Sequence, residues 1–83
     1  MAKYYQPIVV FVDAVNWNGE NIMEVQNLIG KKYSIIDKSI IFEIDGDIFK
    51  IDVGEWVVFS ESSGLWCVID DDIFRMKYRI LNI

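Results

Sequence analysis

Covalent catalysis in this chain would fall to the serines Ser34, Ser39, Ser60, Ser62 and Ser63 or to the lone Cys67. Each needs a base to activate it, and the sequence contains no histidine. A Ser or Cys hydrolase is therefore not expected. Paired acids could hydrolyse a glycosidic bond or hold magnesium if they converged in a cleft, and Asp45 with Asp47 or the run Asp70-Asp71-Asp72 are the candidates. Asp45 and Asp47 flank a hairpin glycine and the Asp70 run precedes a short apolar stretch, so turn formation and capping account for both without a metal. The five glycines are scattered one per turn, with no phosphate loop or dinucleotide fingerprint. Neither a catalytic site nor a cofactor is expected.

Binding chemistry is better represented. Trp17, Trp56 and Trp66, with Tyr4, Tyr5, Tyr33 and Tyr78, form a large aromatic set for 83 residues. Such rings fill cores, anchor protein interfaces or stack on nucleobases. Read as an extended strand from Met76 to Leu81, the closing segment turns Met76, Tyr78 and Ile80 one way and Arg75, Lys77 and Arg79 the other. That basic stripe is either a charged sheet edge that discourages aggregation or a site for the phosphates of a small nucleotide stacked on a tryptophan. Cys67, within an apolar run, is expected as a buried small hydrophobe.

The elements that must position these residues follow from composition and periodicity. One domain spanning 1–83 is expected, with scarce core material and 53% hydrophobic residues to supply it, a surplus that allows self-association. Thirteen acidic against eight basic residues leave a net charge of −5, which opposes direct nucleic-acid binding. The apolar run Ile8–Val12 is cut by Asp13 before it could serve as a signal sequence or membrane span, and a single cysteine allows no internal disulfide. These features suit a cytoplasmic protein with no membrane association.

The density of β-branched and aromatic residues from Pro7 to Trp17 predicts a long central strand, with Ile8, Val10, Val12 and Ala14 on one face and Val9, Phe11, Val15 and Trp17 on the other, the second interrupted by Asp13. Asn18 is placed to cap a short amphipathic helix through Ile22, Val25, Leu28 and Ile29, ended by Gly30. Extended runs follow at Tyr33–Ile36, Ser39–Ile44, Asp47–Val53, Glu55–Phe59 and Leu65–Ile69, separated by Asp45-Gly46, Gly54 and the loop Glu61–Gly64. An Asp-capped single turn leads to the last strand. The expected fold is α+β: a mostly antiparallel β-sheet of about five to seven strands with one short amphipathic helix after the first strand.

Taken together, Pro7-Ile8-Val9-Val10, then Ala14-Val15-Asn16-Trp17-Asn18-Gly19, the helix end Leu28-Ile29-Gly30, the turn Gly54-Glu55-Trp56-Val57 and the pair Phe74 and Tyr78 resemble a widespread family of small proteins of tailed bacteriophages and prophages. The family pattern opens on Ala-Val-Gln-Trp-x-Gly, turns at Gly-Asp-Trp-Ile and closes on Phe-x-x-x-Tyr. This chain departs from it with Val53 where a proline usually precedes the turn, and with Asp13 where glutamate is frequent. The motifs mark strand ends and turns and bring no catalytic role. The resemblance implies a non-enzymatic binding protein of the host cytoplasm that acts on a host protein, as a counter-defence inhibitor. The alternatives are a homo-oligomeric sponge for a small nucleotide signal, using Arg75, Lys77, Arg79 and a tryptophan, or a minor structural or assembly protein of the virion.

Overall fold

The computed structural model describes residues 2–6 and 10–80. In chain order the elements are β1 (Ala2–Gln6), β2 (Val10–Asn16), α1 (Ile22–Ile29), β3 (Tyr33–Ile36), β4 (Ser39–Ile44), β5 (Asp47–Ile51), β6 (Trp56–Ser60), β7 (Leu65–Ile69), α2 (Asp71–Lys77) and β8 (Arg79–Ile80). The fold is α+β and every strand pairing described is antiparallel. Pro7, Ile8 and Val9, read as the start of the long strand, lie outside the described residues.

Two sheets replace the expected one. The larger has the order β7-β6-β2-β1-β8, and the smaller is the local meander β3-β4-β5. Both connections of the meander are two-residue turns, which set β3 beside β4 and β4 beside β5. At Asp45-Gly46, φ values of 50° and 88° are those of the turn an Asp-Gly pair favours, with glycine carrying the left-handed backbone at no steric cost. Asp37 and Lys38 adopt the same left-handed region, at 50° and 68°, without a glycine. An L side chain there costs about 1 kcal/mol. Replacing Lys38 by glycine should therefore raise stability by about 0.5 kcal/mol once glycine's greater unfolded-state entropy is offset, a gain of about 3 °C in Tm. A thermal melt of the variant checks this.

The core lies where the two sheets and α1 meet. Val15, Trp17 and Val57 of the large sheet side, Ile40, Phe42 and Ile51 of the small sheet, and Val25 and Ile29 of α1 form one cluster. The opposite face of the large sheet presents Val12, Ala14 and Val58, and Phe74 of α2 covers them. The central strand is thus buried on both faces, as its apolar alternation requires. Val12 and Ala14 fall on one side and Val15 and Trp17 on the other, while Phe11 is exposed.

The helix reading needs two corrections. Asn21, not Asn18, occupies the N-cap position of α1. The Asn18 side-chain oxygen instead accepts the N–H groups of Glu20 (2.8 Å) and Asn21 (3.0 Å), a local turn that competes with capping. The segment read as a single turn and then a strand is the helix α2, followed among the described residues by the extended Arg79–Ile80; Leu81 of the expected strand lies outside them. Helix wins because Asp71, Phe74, Arg75 and Tyr78 then share one side at spacings of three and four, bringing Phe74 and Tyr78 to the sheet together.

Candidate functional site

The three tryptophans do not converge. Trp17 is 2% exposed in the inter-sheet core, and its indole N–H donates to the Lys38 carbonyl at 2.6 Å. Trp66 is partly buried on the same side, 4.6 Å from the Phe59 ring and edge-on to Phe42 at 6.0 Å. Trp56 lies across the large sheet, stacked on Phe74 with ring centroids 3.7 Å apart and planes within 4°.

The basic stripe dissolves for a geometric reason. Arg75 and Lys77 sit on α2, where residues two apart point about 200° away from each other, whereas on a strand they would share a face. Arg75 pairs with Asp71, its Nε 2.9 Å from Oδ2. Arg79 donates from Nη1 to the Arg75 and Tyr78 carbonyls, each at 3.1 Å, where a cation complements the negative end of the helix. Lys77 is exposed. Arg75, Lys77 and Arg79 therefore do not form one phosphate cradle.

The aspartates act structurally. Asp70 takes the N-cap position of α2 without a side-chain capping bond, and Asp71 ties helix to sheet by accepting the Trp56 indole N–H at 2.8 Å as well as Arg75. The Trp56 hydrogen bond first, then Arg75, holds the Asp71 carboxyl below the ordinary carboxylate range. A folded-state pKa below the unfolded value gives a contribution that is full at neutral pH and lost as the pH falls below about 4 through the folded value. Asp71→Asn should accordingly flatten the acid limb of the stability profile and leave the profile above pH 6 parallel to that of the native chain. Urea denaturation across pH 2 to 7 reads the difference.

Cys67 is exposed, contrary to the burial expected of it. It lies on edge strand β7, opposite Val58, on the face that α2 covers near Ile69 and leaves open towards Leu65. Partial desolvation raises its thiol pKa, with Lys77 pulling weakly the other way. Iodoacetamide should alkylate it at pH 7 more slowly than an unstructured peptide thiol, and more slowly again in Lys77→Ala, because less thiolate is present. Equal rates would contradict the assignment.

The surface that sequence reasoning missed is the outer face of the small sheet. Across β4 and β5 the register sets Ile41 beside Lys50 and Glu43 beside Ile48, alternating with the core-facing Ile40, Phe42 and Ile51. A shallow groove of about 310 Å³ runs there between Lys32, Ser34, Ile41, Glu43 and Ile48. Ile48 is 73% and Ile36 56% exposed. The signal was present: a hairpin buried on one face should alternate apolar with polar, and Ile36, Ile41 and Ile48 occupy polar places. The chain matches no protein-family model, and no curated protein or solved structure is significantly similar to it.

Among the described residues no helix is long and apolar enough to cross a membrane.

Proposed function

We propose that this chain is a non-enzymatic binding protein whose working surface is the outer face of the β3-β4-β5 sheet. The observation that carries the reading is the pair of exposed isoleucines Ile36 and Ile48 on either side of the half-buried Ile41, set between Lys32 and Glu43 on a strongly acidic chain. Isoleucines at a solvent face contribute nothing to the core, and an apolar strip rimmed by charge suits a protein partner. The net charge of −5 selects a partner with an apolar anchor rimmed by basic side chains. Basic surfaces are common where a protein handles nucleic acid, so covering such a site is one way this chain would inhibit.

The resemblance of Ala14–Gly19 and Gly54–Val57 to small tailed-phage proteins supports a host protein as the target, a defence component of the bacterial cytoplasm. The nucleotide-sponge reading has less support, since Arg75 is engaged by Asp71 and one face of Trp56 is taken by Phe74. The test is affinity capture from the host with the native chain, Ile48→Glu and Leu65→Glu, read beside phage sensitivity on expression. One stoichiometric partner lost only with Ile48→Glu, with sensitivity changing in parallel, is the expected result. Capture indifferent to Ile48, no effect on infection, or recovery of the chain in purified virions would overturn it.

A further inference from the structure

Among the described residues four strand edges end the two sheets: β7 and β8 in the larger, β3 and β5 in the smaller. An open edge offers a row of backbone donors and acceptors to any strand that can match it, and proteins usually blunt such edges with charge. Strand β8 has two described residues, too few among those described to template a ladder. Strand β5 begins at Asp47, after Asp45, and ends against Asp52, while β7 follows Glu61 and runs into Asp70. Antiparallel pairing of either with its own copy brings one acidic end towards the other. β5 is also packed close to β7. Among the described edges β3 differs in having basic residues, Lys31 and Lys32, before it and Asp37, then Lys38, after it, and it carries no proline or charge within Tyr33–Ile36. Its Ile35 is half exposed although it lies on the core side, opposite the fully buried Ile40.

We propose that β3 pairs antiparallel with β3 of a second copy across a two-fold axis at Ser34, joining two three-stranded sheets into one of six strands. Symmetry restricts the register. A two-fold perpendicular to the sheet keeps each residue on its own face, and directly opposed residues share a face, so the axis must pass through a residue and not between two. Centred on Ser34, the pairing sets Tyr33 against Ile35 of the second copy and Lys31 against its Asp37, each twice. That covers the exposed core-side isoleucine with an aromatic ring and makes two opposite-charge pairs. Centred on Ile35, the same strands would set Lys32 against Lys38 of the second copy and Tyr33 against its Asp37, with like charges at both ends. On the outer face, Ile36 of the second copy arrives beside Lys32, at the rim of the groove. The interface does not depend on the identity of any host target.

The register makes the experiment specific. Ser34 meets Ser34 of the second copy, and opposed Cα atoms about 4.5 to 5.5 Å apart lie within the separation a disulfide accepts. In a Cys67→Ser background, Ser34→Cys should form a covalent dimer under mild oxidation, while Ile36→Cys, whose sulfurs would be four residues out of register, should not. Native mass spectrometry of the unmodified chain should show twice its 9.7 kDa mass. Lys31→Asp or Asp37→Lys alone should weaken the dimer about tenfold, since each replaces two opposite-charge contacts by like-charge ones, and the double variant should recover the affinity. Circular dichroism confirms that each variant folds. A chain monomeric up to about 1 mM, where even weak interfaces assemble, would overturn the proposal. So would equal crosslinking at positions 34 and 36, or charge reversals that do not compensate.

Discussion

Trp17→Ala should remove about a third or more of the folding stability at 25 °C. The side chain is among the largest of the fully buried ones and packs with Val15, Val25, Ile40, Ile51 and Val57, so its removal opens a cavity where both sheets and α1 meet. Such truncations cost about 3–5 kcal/mol. The variant also strips the Lys38 carbonyl of its indole donor, in a turn already held in left-handed backbone without glycine. Leaving a partly buried acceptor unpaired costs about 1 kcal/mol more. A domain of this length has on the order of 4–12 kcal/mol in total, so about a third or more of the stability would go. Trp17→Phe separates the two causes: it keeps most of the volume, loses the hydrogen bond, and should fold with a deficit of about 2 kcal/mol. Urea denaturation followed by circular dichroism measures both. A Trp17→Ala variant within 1 kcal/mol of the native chain would show that the inter-sheet core is not what holds the two sheets together.

Phe74→Ala should release α2 from the sheet. Helix α2 has seven residues, far too few to be helical alone, so its structure is maintained by docking. The dock is the Phe74 ring, 3% exposed, stacked on Trp56 and 4.9 Å from Tyr78. The expected cost is about 3–4 kcal/mol, from lost burial and a lost aromatic pair. It should be felt locally first. Amide exchange at Phe74 and Tyr78, whose N–H groups donate to Asp70 and Phe74, should accelerate well beyond that at Val57 in the core strand. Uniform acceleration along the chain would mean that helix and sheets unfold as one unit.

Much of the architecture was legible in local signals. The runs Tyr33–Ile36, Ser39–Ile44 and Leu65–Ile69 are strands with the limits that alternation and turn residues assign them, and β5 and β6 differ from their readings at the ends alone. Asp45-Gly46 makes its turn, and α1 ends at Gly30. These succeed because a hairpin turn and a helix stop are decided by backbone sterics within a few residues. The Ala2–Gln6 strand was missed because nothing in five residues distinguishes a strand from an extended lead-in, and its pairing with β2 is a tertiary event.

The candidate site was less legible. Arg75, Lys77 and Arg79 alternate as a strand would, and only Phe74 finding Trp56 across the large sheet turns that segment into a helix and scatters the three cations. Likewise Cys67 sits in an apolar run but on an edge strand that leaves it exposed, and strand order is invisible to periodicity. By itself, the sequence determined the type of α1 and of the strands from Tyr33 to Ile69, the acidic character and the lack of histidine, all properties of single residues or short windows. Tertiary structure alone decided that the strands divide into two sheets and which tryptophan is buried where, and it left Ile36 and Ile48 facing solvent. Burial is a relation between residues far apart in the chain, and no local pattern records which face its partner will cover.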